Sequence, residues 1–576
     1  MQNTTHLRTA ALRAIRVSDL TIVRGCLGLL WGGVAAYLLV FLSLTFRLTD
    51  QYSIMAYDLG IFDQALWLIS QGQTPFVTVR GLHLLADHFS LILYLLAPIY
   101  ALFPSPKTLM AAQTIALALG AFPLYALARL KTNSPPTALI LSYAYLLYPA
   151  VQWTNAFEFH PETFATPLFL ASFLYWTRRQ RGLYFVMLVL AALTKETVGL
   201  TIAAFGAYEL AITAWAARQN KKEPSEGTPT DWPRRDFWIG ALTIGLGLLA
   251  TVISINTVRH FNGGRPSPFF ALYSQFGHTP GQIIGFMLTH PGTVWGALTT
   301  SLNRQYLLDL FYPFVFLALL APEVLLIAAP PLFANLLSSR FVMHTIQHQY
   351  TTTITPFIFI AAIIGCARSR RWGSAATTGL ILTYVCITML AGVRLSPAWV
   401  WSGNVDPGLT TAQAREADQI VSQIPPQASV SVQAAFIPHL DHRRTIYTFP
   451  NPFVPTTWGY GARALRQMEQ KQLILSTRYR RRLAVSKGSV DYIVLNPSTT
   501  IWPLLPPHYD GYVMAAVESP AYGIVALGKK TVLLKRGANH QKGLRVLANR
   551  TGVAIWDAQT TDRAFRAWMR GVQIKI

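Results

Sequence analysis

Between residues 25 and 395 the chain is a succession of long apolar runs, with charged side chains rare and gathered into short clusters. A bilayer core takes helices of roughly 20 apolar residues and leaves no backbone polar group unpaired. A stretch of this kind therefore folds as a polytopic α-helical membrane protein. Composition agrees, with 52% hydrophobic residues and 13% charged, against roughly 25% charged in a soluble domain. Charges become frequent before and after the stretch. This gives a basic head over 1–24, a transmembrane domain over 25–395 and a polar tail.

About eleven transmembrane helices are expected, at 25–46, 108–129, 135–152, 163–177, 183–194, 197–217, 236–258, 305–320, 322–339, 350–367 and 373–394. The run 25–46 is too long for a signal-peptide core and lacks a small-residue cleavage site, so it reads as a retained first helix. A further apolar piece, 88–103, is short and is closed by Pro104, Ser105 and Pro106. Lys and Arg in short loops mark the cytoplasmic side. The head, Arg129 with Lys131, Arg178 to Arg181, Arg218 to Arg235 and Arg368 to Arg371 all become cytoplasmic together only if 88–103 makes no net crossing. That parity puts the N-terminus in the cytoplasm of a multi-pass cell (inner) membrane protein and the tail outside. The main external loops are then 47–107, 155–162 and 259–304, the last with apolar stretches suited to the membrane surface.

The tail reads as an extramembrane α/β domain over 396–537. A helical pattern at 412–424 is stopped by Pro425 and Pro426, and β-rich runs follow at 429–432, 445–449, 491–495, 522–527 and 531–535. Residues 460–487 look helical and very basic. A basic C-terminal extension, 538–576, shows only weak patterning. From Ser396 onward there are 22 Lys and Arg against 10 Asp and Glu. Beside a bilayer, that balance points to anionic lipid rather than to nucleic acid. Cys26, Cys366 and Cys386 all lie in apolar runs, which leaves no disulfide framework.

Ionisable residues at a membrane face are costly unless solvated, paired or used. Asp58 and Asp63 sit in the run Tyr57-Asp58-Leu59-Gly60-Ile61-Phe62-Asp63-Gln64-Ala65-Leu66-Trp67, followed by His83, Asp87 and His88. The second external loop adds Glu158, His160 and Glu162. Asp58 and Asp63 equally suit capping or solvation of a surface helix. His83, Asp87 and Glu158 offer donors for a divalent ion, although no diagnostic metal spacing is present. Lys195 and Glu196 read as a local ion pair between two spans. Arg340, His344 and His348 recur every four residues, which suits a phosphate or a snorkelling interfacial face.

The run from Tyr57 to Trp67, then Asp87-His88-Phe89, Phe159-His160-Pro161-Glu162 and Leu193-Thr194-Lys195-Glu196, resembles the prokaryotic membrane-protein family known as domain of unknown function 2079. So do the tail stretch Ile437-Pro438-His439-Leu440, Arg443, Ile446-Tyr447 and Asp491-Tyr492-Ile493-Val494-Leu495. The resemblance covers roughly residues 45–500. That family is in turn similar to GT-C glycosyltransferases, which take sugars from polyprenyl-phosphate donors outside the membrane. The likeness implies a GT-C-like fold with a catalytic acid in the first external loop. Asp58 matches that position as general base, and Asp63, at a departing spacing, serves as an orienting or second acid. It also implies substrate binding by Asp87, His88, Glu158, His160, Glu162, Arg340 and His344. The WWDYG-type motif of the oligosaccharyltransferase branch is missing.

The chemistry is compatible with these residues. A glycosyl phosphate carries its own leaving group, so a carboxylate general base, worth about 10²–10⁴-fold, and a cation or metal at the phosphate suffice. A divalent metal is possible but not required. The expected partners are a polyprenyl-phosphate-linked sugar, membrane lipids and a glycan, lipid or protein acceptor, with no nucleic acid. A non-catalytic envelope protein that binds glycan, lipid or a partner through its tail is the alternative. A transporter fits less well, because acidic residues near a span are few beyond Glu209 and Asp309.

Overall fold

The structure is a computed structural model that describes residues 2–53, 57–222, 232–265, 267–312, 317–398, 405–453, 490–501, 504 and 506–569. The basic stretch 460–487 lies outside the described residues. The chain divides into two compact units. The first comprises residues 1–44, 85–95 and 110–405; the second comprises 45–84, 96–109 and 406–576.

The first unit is helical. Among the described residues, four helices are long and apolar enough to cross a membrane: Leu20–Asp50, Pro106–Thr132, Val198–Arg218 and Asp236–Phe261. Two of these cross from one unit to the other along the chain, at residues 44 and 110. In Asp236–Phe261 only 22% of the apolar window is buried, and Leu242, Leu249, Val252 and Ile253 are exposed. So continuous an apolar surface is at home against lipid rather than water. Val198–Lys222 and Trp232–Phe261 form a tight pair. A Cβ at Gly206 would come within 2.7 Å of the Gly240 carbonyl oxygen, and one at Gly199 within 2.7 Å of the Gly247 carbonyl oxygen. Small residues at such a crossing let backbones approach where lipid supplies no hydrophobic drive.

Of the other expected crossings, 373–394 is the helix Ser374–Leu395, 22 residues long, and the rest are shorter than a full span. Segment 135–152 is two helices, Pro135–Leu146 and Pro149–Ala156, because Pro149 has no N–H with which to continue the first. Segment 322–339 is broken into Pro322–Leu325, a 3₁₀ turn and Ala329–Leu337. Segment 305–320 is represented by the helix Ser301–Phe311 and a 3₁₀ turn at Ala318–Leu320. Thr355–Ser369 has twelve of its fifteen residues buried, so its apolarity serves the protein interior and not only lipid. The 88–103 piece is the helix Ile92–Leu102. At about 1.5 Å per residue it reaches roughly 16 Å, half a bilayer core. In the loop 259–304, helices Pro280–Thr289 and Pro291–Leu298 bury no residue.

The second unit joins the segment after the first long helix to the tail. Strands β1 (Phe76–Val77) and β2 (Leu82–His83) make an antiparallel pair. Strands β3 (Val430–Val432), β4 (Ile446–Thr448), β5 (Tyr492–Leu495), β6 (Tyr522–Leu527) and β7 (Val532–Arg536) form one sheet in the order β4-β3-β5-β7-β6. β3 runs parallel to both β4 and β5, whereas β7 is antiparallel to β5 and β6. β3 and β5 are buried at every position, as central strands covered on both faces are. Helix Thr411–Val421 starts with a capping box between Thr410 and Gln413. The basic C-terminal residues belong to this domain: helices His540–Thr551 and Ala558–Met569 put Leu547, Phe565 and Trp568 into one apolar core with Ile493, Val532 and Leu534.

The expected first external loop is thus part of the tail's unit. Thr78 Oγ1 donates to the Ile446 carbonyl at 2.8 Å and accepts from the Ile446 N–H at 2.9 Å. Tyr52 donates to Asp418 Oδ1 at 2.7 Å, and its ring stacks on His439 at 3.7 Å. Gly60 permits a close approach. A Cβ there would stand 2.2 Å from Ile437 Cγ2.

Candidate functional site

In the second unit, Asp58 and Asp63 share the helix Tyr57–Ser70. Five residues turn an α-helix through about 500°, so the two carboxylates point roughly 140° apart. Asp58, in the first turn, is half-buried, whereas Asp63 is fully buried. Tyr100 donates to Asp63 Oδ1 at 2.6 Å, and His442 Nε2 lies 3.0 Å from Asp63 Oδ2 and 2.8 Å from the Tyr100 hydroxyl. The imidazole is parallel to Trp67, with centroids 6.2 Å apart, and its side chain keeps 34% exposure.

Asp441 completes this cluster. It is 1% exposed, and neither of its carboxylate oxygens has a hydrogen-bond donor. Ligand atoms of Asp63, Asp441 and His442 all lie within 4.8 Å of one another. Burial, and then the adjacent Asp63 carboxylate, push the Asp441 carboxyl well above the usual range. Two ionised carboxylates only accept hydrogen bonds, so a proton or a cation has to stand between them. Arg443, two residues on, is committed elsewhere: its guanidinium donates to the carbonyls of Leu440, Pro425 and Ala428. A cavity of about 420 Å³, lined by Asp418, His439, Asp441, His442 and Arg443 among others, adjoins the cluster.

In the first unit a second polar network is built across the turn 193–197. Lys195 and Glu196 each pair away from the other rather than forming the expected local ion pair. Lys195 Nζ donates to Glu162 Oε1 and lies 5.8 Å from the Tyr350 ring centroid. Glu196 Oε1 meets His88 Nδ1 at 3.0 Å, and its Oε2 accepts from the Phe89 N–H at 3.1 Å. Burial would raise the Glu162 and Glu196 carboxyls. Lys195, His160 and His88 overcome this at Glu162, and His88 with Lys195 hold Glu196 down to about 2. Burial likewise favours neutral Lys195 and neutral His88, but Glu162 raises the lysine and Glu196 raises the histidine.

The loop carrying Glu158, His160 and Glu162 is held by Gln113. Its Nε2 donates to the carbonyls of Thr154 and Glu158 at 3.0 and 3.2 Å, and its Oε1 accepts from the His160 N–H at 3.0 Å. Glu158 and His160 are buried, and the His160 ring stacks on Phe157. Asp87 is buried, and Arg340 half-buried. His344 has both ring nitrogens on oxygens, Asn303 Oδ1 at 2.5 Å and the Ser338 carbonyl at 2.9 Å. This ties the 338–345 turn to the helix Ser301–Phe311.

Of the candidate residues, Asp58, Asp63 and His83 belong to the second unit, and Asp87, His88, Glu158, His160, Glu162, Arg340 and His344 to the first. Of the metal candidates, His83 is half-buried in β2, where burial lowers its pKa. The described residues that group as metal donors are Asp63, Asp441 and His442 instead. Sequence reasoning missed Tyr100, Asp441, His442 and Gln113. Asp441 and His442 stand directly after the stretch Ile437–Leu440, which offered the one signal that pointed to them.

A family model described as a predicted membrane protein, DUF2079, matches residues 50–499. None of the curated proteins compared matches the chain. Among solved structures, ArnT from Cupriavidus metallidurans bound to undecaprenyl phosphate is similar at a TM-score of 0.48 and 15% identity, covering 89% of this chain and 99% of that one. The apo form of the same protein gives 0.47 and 14%, covering 88% and 98%. With a family match from residue 50 to residue 499 of 576, the chain belongs to the DUF2079 family of predicted membrane proteins.

Proposed function

We propose that this chain is a GT-C-type membrane glycosyltransferase, moving a sugar from a polyprenyl-phosphate donor to an envelope acceptor with Asp58 as general base. The observation that carries the reading is the division of labour on the helix Tyr57–Ser70. Asp58 keeps access at its first turn, whereas Asp63 is fully buried and held by Tyr100 and His442. A base must reach the acceptor hydroxyl, and the accessible carboxylate suits that task. Asp63 suits orientation of the segment. The donor class follows from the resemblance of the acidic step after the first helix to GT-C enzymes.

Cations suited to a lipid phosphate lie in the first unit, in Lys195, His88 and the half-buried Arg340. Glu162 and Glu196 favour the charged forms of the first two and hold them in place. In this reading Asp87, Glu158 and His160 shape the substrate-binding surface, and His344 positions the turn that carries Arg340. The tail domain faces outward and recognises the acceptor.

The test is transfer by the purified protein in nanodiscs, from a radiolabelled polyprenyl-phosphate sugar to envelope extract. Asp58→Asn keeps the shape and removes the base, so transfer should fall by about 10²–10⁴-fold with thermal stability unchanged. Asp63→Asn should lower stability as well as rate. Near-full transfer by Asp58→Asn would overturn the assignment of the base. No glycan change from either variant would favour the non-catalytic envelope protein.

A further inference from the structure

The Asp63–Asp441–His442 cluster has an electrostatic deficit that protein groups do not fill. Asp441 is 1% exposed with no donor on either oxygen, and a buried carboxylate in that state is strongly disfavoured. Asp63 already accepts a hydrogen bond from the Tyr100 hydroxyl and stands against His442 Nε2. The Arg443 charge offsets only part of this, and burial with the Asp63 carboxylate still holds the Asp441 carboxyl well above its ordinary range. Arg443 is spent on three carbonyls, and Asp418 accepts from Tyr52 while lying 3.8 Å from His439.

We propose that Asp63, Asp441 and His442 form a binding site for one divalent transition cation, Zn²⁺ or Mn²⁺. Three lines converge. The donor set, two carboxylate oxygens and one imidazole nitrogen, carries two negative charges for a doubly charged ion, and mixed N/O donors suit Zn²⁺ and Mn²⁺ better than an all-oxygen ion such as Mg²⁺. Donor atoms around one zinc ion at about 2.1 Å are at most about 4.2 Å apart; here all lie within 4.8 Å, close to that limit. The unpartnered, buried Asp441 carboxylate is directed into the cluster, and the adjoining cavity of about 420 Å³ touches both Asp441 and His442 and supplies a path of entry. Tyr100, hydrogen-bonded to Asp63 Oδ1, holds that ligand in place as an outer partner.

Asp63 comes from the segment after the first long helix, and Asp441 and His442 from the tail domain. A bound ion would therefore clamp two stretches of the second unit that are 378 positions apart in sequence, from Asp63 to Asp441. The inference does not rest on the glycosyltransferase reading, since no sugar or lipid enters it.

The experiment uses the full-length protein in detergent. It is stripped with chelator, exchanged into ZnCl₂ or MnCl₂, desalted and assayed for metal per chain by mass spectrometry, with thermal midpoints recorded beside it. About one Zn²⁺ or Mn²⁺ per chain is expected, with a raised midpoint. Asp441→Asn and the milder His442→Gln should both fall to background. His83→Ala, outside the cluster, should keep the wild-type stoichiometry. Should Asp441→Asn fail to fold, His442→Gln alone decides. No stoichiometric metal in the wild type, or equal metal in wild type and His442→Gln, would overturn the site. A rise in metal-free stability on Asp441→Asn without metal uptake by the wild type would show that the two carboxyls share a proton instead.

Discussion

His88 and Glu196 stand 108 positions apart in sequence and meet at 3.0 Å, with each side chain less than a fifth exposed. Their pairing makes stability depend on pH from both sides. Glu196 is held down to about 2 against an ordinary 4.5, so its contribution is complete above 4.5 and is lost as pH falls toward 2. His88 is raised above its ordinary 6.5, so its contribution is complete below 6.5 and fades as pH climbs through the folded value. The pair is at full strength between roughly 4.5 and 6.5, and the acid limb amounts to about 3 kcal/mol. Thermal midpoints measured across pH should show this window in the wild type, with both limbs flattened in Glu196→Gln. Parallel profiles in the two proteins would refute the coupling.

The Lys195–Glu162 pair should show the asymmetry of buried ions. Their side chains are 13% and 6% exposed. Lys195→Met leaves the Glu162 carboxylate buried without its cation, a change that costs about 3–5 kcal/mol. The double variant Lys195→Met with Glu162→Gln removes both charges and should recover much of that loss. Denaturant unfolding of the two singles and the double gives the cycle, and strict additivity would argue against the pair.

At Gly60 two effects oppose each other. Alanine gains up to about 1 kcal/mol of helix propensity, but its Cβ would meet Ile437 Cγ2 at 2.2 Å, and overpacking of this kind costs about 1–3 kcal/mol. The clash should win, so Gly60→Ala is expected to lower the thermal midpoint. Adding Ile437→Ala should make the glycine replacement neutral or better. If Gly60→Ala is stabilising alone, the close approach of these two segments is wrong.

The C-terminal helices bear on the α/β domain directly. Phe565 is fully buried and packs with Trp568, whose Nε1 donates to the Gly528 carbonyl at 3.0 Å. Phe565→Ala should cost about 3–5 kcal/mol, and a chain ending at residue 537 should lose protease resistance in its sheet. Survival of the sheet after that truncation would make residues 538–569 a dispensable appendage.

The membrane class and the five sheet strands were legible in the sequence, because hydropathy and period-two apolar runs are local signals. How the apolar stretches divide into helices was not. Thr355–Ser369 is apolar because it is buried among other helices, and Pro149 and the 322–339 breaks divide stretches that hydropathy alone joins. At the candidate site, Asp58 and Asp63 stood out as acids in an aromatic run. Asp441 and His442 gain meaning only from a fold that brings residue 441 to residue 63, and no spacing rule encodes a contact at that range. The C-terminal helices were obscured in another way: their basic outer faces masked a few buried anchors such as Leu547 and Phe565.

Because residues 45–84 fold with residues 406–576, the second unit cannot be completed in the order in which it is made. Roughly 320 residues separate Leu84 from Asp406, and at about 5–20 residues per second the ribosome needs roughly 16–64 s to deliver them. Over that interval the helix Tyr57–Ser70, with ten of its fourteen residues destined for burial, has no tail to pack against. The protein is thus exposed to misassembly early in synthesis, and a chain stalled before residue 406 would present this apolar helix to whatever chaperone or protease patrols that side of the membrane.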